Sequence, residues 1–336
     1  MTSLSVEEDQ ALARDAVRGL EAAMDEESLT TGELFTDPEP YGRVRLNKLI
    51  HMALAWGYDE SDRIPIQHSW HRYGADYGNA IPQVSELQPT EFCNLPSPDQ
   101  PSISSQHGNR YPSKEEYYHF FINKVDLNRI AGLSIHAFLK EFYEEYAPPK
   151  YRSLYLANVD LQRILHNHSK SINVDQFGEE EYQDITRTVT HLHTELVSCS
   201  DEEIPQIASR VVEFTDLLED TYMMLASRSA EDVPSSPELV IREISRVYHD
   251  TAWKYVSEII SKSTAQGTNS SELVTAASGE IEKLDSRHRG VPEQLMSLIA
   301  DADLLPSPED FDITSDPDSE SGEQFVDLSE EYASLS

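Results

Sequence analysis

Twelve histidines are spread along this 336-residue chain, and their spacing poses the first chemical question. His166-Asn-His168 and His191-Leu-His193 are the tightest clusters. In a strand such i, i+2 pairs share a face and could chelate a metal, whereas on a helix they point about 200° apart. The apolar stripe through Leu192 reads as helical, which sets His191 and His193 apart. A metal-dependent hydrolase using His166, His168, His191 and His193 stands as one alternative, with no resident metal or other cofactor expected. A second gathering is IPIQHSWHRYG, from Ile64 to Gly74, which holds His68, Trp70, His71, Arg72 and Tyr73. Trp, Tyr and Arg are the types enriched at interface hot spots, so this segment reads as a contact site for a partner protein. A third feature is cationic. Arg43, Arg45 and Lys48 stand in or beside Val44 to Tyr58, a stretch without a single acid, so a DNA-associated regulator using this helix is the other alternative. The patterns G-x-x-x-x-G-K-[ST], G-x-G-x-x-G, G-x-S-x-G and H-E-x-x-H do not occur, and acids are too abundant for any carboxylate pair to single out a catalytic dyad.

These residues must be positioned by elements that the hydrophobic spacing reveals. Ser5-Val-Glu-Glu8 has capping-box spacing, and Leu12, Ala16, Leu20 and Ala23 predict a first helix to about Met24. Val44, Leu46, Leu49, Ile50, Ala53, Leu54 and Gly57 give a wide apolar face, with Arg45, Asn47, Lys48 and His51 mostly off it. From Ile64 the period changes to two: Ile64, Ile66, His68 and Trp70 point one way and Pro65, Gln67, Ser69 and His71 the other, which predicts a strand near 64–73. Six prolines between Pro82 and Pro112 read as a loop or linker. Ser113-Lys-Glu-Glu116 is a second capping box, and Ser134 an N-cap for IHAFLKEFYEEYA, which Pro148-Pro149 stops. Stripes through Tyr182, Ile185, Val189, Leu192 and Leu196, through Ile207, Val211, Phe214, Leu218, Tyr222 and Leu225, and through Ile241, Ile244, Tyr248, Ala252, Tyr255 and Ile259 predict successive helices of an antiparallel bundle. Leu273, Ala277, Ile281 and Leu284 add one more. The expected architecture is mainly α: an N-terminal helical region with a short strand over 1–82, a Pro/Ser-rich loop or linker over 83–112, a helical bundle over 113–304 and a disordered acidic tail over 305–336.

Charge narrows the setting. Lys plus Arg number 26 against 61 Asp plus Glu, a formal net charge of −35. Ten of those acids lie in Pro306 to Ser336, which has no Lys or Arg, so the remainder still carries −25. A folded chain this acidic repels itself in dilute buffer, and molar salt, with a Debye length of about 3 Å, relieves the strain. A halophilic cytoplasm is the expected home. Cys93 and Cys199 are the two cysteines, too few for a disulfide framework, and no stretch approaches 18 apolar residues, so a soluble intracellular protein away from membranes is expected. Such a charge disfavours nucleic acid as a partner. The tail nonetheless gathers Phe325, Val326, Leu328 and Tyr332, spaced for a short recognition motif on a helix or an added strand.

One resemblance ties the helix and strand together. LNKLIHMALAW, a short loop and a strand ending in aromatic-x-x-Tyr-Gly resemble the start of the Panacea domain, the SocA-like antitoxin family. Leu46, Lys48 and Leu49 match the helix, Trp70, Tyr73 and Gly74 match the strand end, and Ile81-Pro82 stands near the family's later Pro. The match covers roughly 43–84, and Gly74-Ala-Asp replaces the family's Gly-Pro-Val. The resemblance implies a non-enzymatic regulatory module, antitoxin-like or adaptor-like and often carried on mobile elements, whose partner is a toxin or a protease-type protein.

Overall fold

Leucines and alanines at helical spacing bury one face of α1 (Val6–Glu26), where Leu12, Ala16, Leu20 and Ala23 are all inaccessible. A computed structural model describes residues 6–35, 41–57, 64–87, 112–170, 178–227, 237–267, 270–287 and 291–306. α1 runs against α4 (Lys114–Lys124) so closely that a Cβ on Gly19 would lie 2.6 Å from the Cβ of Tyr117. After α2 (Thr31–Leu34) comes α3 (Tyr41–Gly57), which buries twelve of its 17 residues, Arg45, Asn47, Lys48 and His51 among them. The helix is enclosed on its polar side as well as its apolar one. The Ser113 capping box and the Ser134 N-cap form as predicted, opening α4 and α6 (Ile135–Tyr146), with α5 (Leu127–Gly132) between them.

The strand near 64–73 is shorter than its alternation suggests. β1 (Ser69–His71) pairs antiparallel with β2 (Gly74–Asp76), with Trp70 opposite Ala75. Ile64, Ile66, His68 and Trp70 are nevertheless all buried, so the period-two reading of their face holds. The outer edge of β1 is covered by α11 (Trp253–Thr264) and the residues after it, with a backbone bridge between His68 and Gln266. The backbone N–H of Trp70 donates to Thr264 Oγ1, and Ser261 Oγ donates to Ser69 Oγ, both from α11.

The rest is helical: α7 (Arg152–Lys170), α8 (Glu179–Ser198), α9 (Glu203–Ser227) and α10 (Pro237–Val247) precede α11, and α12 (Ser270–Arg287) and α13 (Val291–Asp301) follow it. The predicted stripes on α8 and α9 are core. Between α10 and α11 the helix widens into a π turn over Tyr248–Ala252, where the N–H of Trp253 reaches the carbonyl of Tyr248. Single π turns of this kind recur at functional sites. The expected division into a 1–82 unit and a 113–304 unit does not correspond to two cores: one hydrophobic cluster contains Leu20, Leu49 and Trp70 together with Phe121, Phe142 and Val256. Residues 88–111 of the expected linker, and the tail from 307 with Phe325, Val326, Leu328 and Tyr332, lie outside the described residues. Among the described residues no helix is long and apolar enough to cross a membrane.

Candidate functional site

The hairpin is built around a turn that only glycine completes well. Gly74 has φ +88°, and a Cβ there would lie 3.0 Å from both the Trp70 and Tyr143 rings. Trp70 stacks on Phe142 at 5.8 Å and meets Tyr155 edge-on, while His68 stacks on Tyr77 at 5.1 Å with Nδ1 2.8 Å from the carbonyl of Ile66. Both residues are therefore core, and neither is on the surface to meet a partner. His71, Arg72 and Tyr73 sit at the tip and fasten it. His71 Nε2 lies 2.8 Å from Glu258 Oε1, Arg72 pairs with Asp250, Trp253 Nε1 donates to the Arg72 carbonyl and Tyr73 stacks on His249 at 4.8 Å. Burial, then the neighbouring Arg72, brings the His249 imidazole down to about 4. The tip is a clasp on the π turn.

The acid-free helix fares similarly. Arg45 and Lys48, expected to face nucleic acid, are 0% and 2% exposed. Arg45 donates to the carbonyls of Ile130 and Leu133 at the end of α5 and lies over the Phe138 ring. Lys48 Nζ donates to the Ala75 carbonyl at 2.5 Å and lies over Phe142. Burial lowers the Lys48 ammonium to about 7, against a smaller opposing pull from Asp76. Arg43, half-buried, donates to Gly78 O. A surface cation patch is thus not formed by this triad; the charges of Arg45 and Lys48 are turned inward because α5, α6 and the hairpin cover the side that the sequence leaves polar. His51, two turns along, lies 2.7 Å from Tyr77 Oη, and its Nε2 has no hydrogen-bond partner. Burial, and after it His68 and Lys48, holds His51 well below its usual range.

The histidine pairs go to separate partners. His168 Nδ1 lies 2.9 Å from Tyr222 Oη, His193 Nε2 lies 2.6 Å from Thr215 Oγ1, His191 faces Glu195, and His166 meets the ring of His136. Among the described residues no group of three or more His, Cys, Asp or Glu side chains is arranged to hold a metal. The four residues do not form one ligand set, and the 200° separation along α8 is the reason for the pair at 191 and 193.

What sequence spacing missed is a half-open groove of about 570 Å³ where α3, α4, α5 and α6 meet. Trp56, at the end of α3, is 42% exposed and stacks on Phe120 at 5.1 Å. Opposite, Phe142 and Tyr146 stack at 5.3 Å and rest on the buried His51 ring. Met52, Phe138 and Ile130 add to the apolar lining, and Lys124, Asp126, Arg129, Glu141 and Glu145 supply its charges. Arg129 grips Glu141 through two hydrogen bonds of 2.7 and 2.8 Å, which lowers the Glu141 carboxyl. The available signal was the Phe138, Phe142, Tyr146 spacing of four, one helical stripe, joined to an aromatic at a helix end.

A family model described as Domain of unknown function (DUF8098) matches residues 1–334. The chain belongs to this family. The match runs across α1 to α13, so the hairpin clasp and the aromatic groove both fall within the family's span. No curated protein and no solved structure matches the chain.

Proposed function

We propose that this member of the DUF8098 family is a non-enzymatic regulatory module, antitoxin-like or adaptor-like, of a halophilic cytoplasm, and that it takes a partner protein in the Trp56 groove. The observation that carries the proposal is the exposed Trp56 ring inside an aromatic concavity. An indole left open to water beside three further rings is a ready anchor, because Trp dominates interface energetics when its surroundings exclude solvent. The groove replaces the His68–Tyr73 surface as the contact site. Support for the Panacea resemblance is architectural: Leu46 and Leu49 are fully buried, and Lys48 ties α3 to β2, so the matched positions hold together the helix that carries Trp56. The excess of 61 acids over 26 cationic residues supports the high-salt setting. The test is capture in molar salt with full-length protein and with Trp56→Ala, followed by reconstitution of the complex from purified components. Retention of the same partner at unchanged affinity by Trp56→Ala would remove the groove from the proposal.

A further inference from the structure

We infer that the occupant of the Trp56 groove is a basic segment of the partner, a stretch of chain carrying Lys or Arg beside one aromatic or aliphatic anchor. This rests on the reading of the groove as a contact surface, and charge decides among the occupants it could take. The chain's own C-terminal segment holds ten acids and no Lys or Arg, and a second copy brings a net charge of −35 toward another −35. Either would approach against the field of the whole molecule, whereas a cationic segment is steered by it.

The lining agrees with the global charge. Arg129 and Glu141 satisfy each other, which leaves Asp126 and Glu145 against Lys124. Glu144, next to Glu145, is also exposed. The open part of the Trp56 ring and the partly buried Tyr146 ring offer electron-rich faces that attract a guanidinium or ammonium and repel a carboxylate, while Phe120 and Phe142 are buried beneath them. Lys48 and Arg45 already use this device inside the fold, lying over Phe142 and Phe138. In molar salt the long-range field is screened, so discrimination falls to these short contacts, which a seated segment shields from solvent.

The probe is a random 16-residue peptide library displayed on phage, selected in molar KCl against full-length protein, Trp56→Ala, Glu145→Lys and a chain ending at Leu305. All four are first compared by circular dichroism. Peptides recovered by the wild type but not by Trp56→Ala, rich in Lys and Arg around an apolar anchor and bound about tenfold more weakly by Glu145→Lys, support the inference. Trp56-dependent peptides that are neutral or acidic overturn the basic segment while leaving the groove as a contact site. Absence of any Trp56-dependent peptide overturns both. A tenfold gain in peptide affinity on removing the tail makes the tail the occupant, and a dimer in sedimentation velocity that dissociates in Trp56→Ala makes it a second copy; either result overturns the inference.

Discussion

Replacing Lys48 by Met should change how stability depends on pH more than it changes stability at any one pH. Burial lowers the folded-state ammonium to about 7, whereas the unfolded chain keeps the ordinary lysine value of 10.5. Between these values the unfolded state binds the extra proton and the folded state does not, so unfolding free energy rises with pH across that window. At neutral pH and below, the native chain bears the cost of a buried cation, and the cost is relieved as pH rises through 7. Each pH unit is worth about 1.4 kcal/mol, so the relief between pH ~7.5 and ~9.5 is about 2.5 kcal/mol. Lys48→Met removes the titrating group. It also strips the Ala75 carbonyl of its 2.5 Å donor, a pH-independent loss of about 1–3 kcal/mol. The wild-type minus variant difference should therefore grow by about 2.5 kcal/mol over the window, whatever its starting value. Urea unfolding in molar KCl at the two pH values measures it. The range stops below pH 10 because Tyr143, Tyr222 and Tyr248, raised by burial, keep their protons in the folded state after the unfolded state has lost them, which lowers stability there. A difference equal at both pH values would show that Lys48 does not reside in the folded protein as a desolvated amine.

Further expectations concern the groove, the turn, the charge and the histidines. Trp56→Ala should weaken partner binding about 30-fold, since the 42% of the residue left exposed is roughly 100 Å² and about 2 kcal/mol of burial, while leaving the helical circular dichroism intact; isothermal titration with the reconstituted partner decides. Gly74→Ala should lower stability by about 2–4 kcal/mol through its positive φ and the two rings 3.0 Å away, and an unchanged melting temperature would remove the turn argument. Helicity and melting temperature should both rise from ~0.1 M to molar KCl, and equal values would contradict the reading of −35 as a high-salt adaptation. Purified untagged protein should carry less than one equivalent of zinc, iron, nickel or manganese; a full equivalent lost in the His191→Ala, His193→Ala double variant would restore the hydrolase alternative.

Periodic signals survived the passage from sequence to structure because each reports on one face of one element. Ile185, Val189, Leu192 and Leu196 are buried together for the same reason that they recur at three and four, and Ser113 and Ser134 cap their helices because a local hydrogen bond needs no distant partner. What failed were statements about the opposite faces. Arg45, Lys48 and His51 lie off the apolar stripe of α3, and a single helix does not reveal that α5, α6 and the hairpin will close over that side. His68 and Trp70 share their predicted face, yet which face meets solvent was decided by helices more than fifty residues downstream, including α11. The groove leaves only the Phe138, Phe142, Tyr146 stripe of α6 in the local sequence, since its other walls, with Met52, Phe120 and Arg129, come from three further helices.

Conserving a helix-and-hairpin signature is therefore different from conserving a partner. Trp70 anchors the hairpin in the core, Tyr73 beyond it stacks on the π turn, Gly74 completes the turn between them and the second strand, and Lys48 lashes that hairpin to α3. Each of these residues spends its interactions inside the fold, so any chain with the same helix and hairpin would need them whatever it binds. Trp56, Lys124 and Glu145 are less deeply engaged: the indole stacks on Phe120 but is partly open, and both charges stand exposed on the rim, with Glu145 hydrogen-bonded to Tyr146. Changes there cost the core little and alter what can dock. The consequence is separable in one experiment. Exchanging Lys124 and Glu145 for opposite charges should redirect peptide preference without moving the melting temperature, whereas exchange of Trp70 or Gly74 should lower the melting temperature before it changes preference; the reverse pattern would place recognition in the hairpin after all.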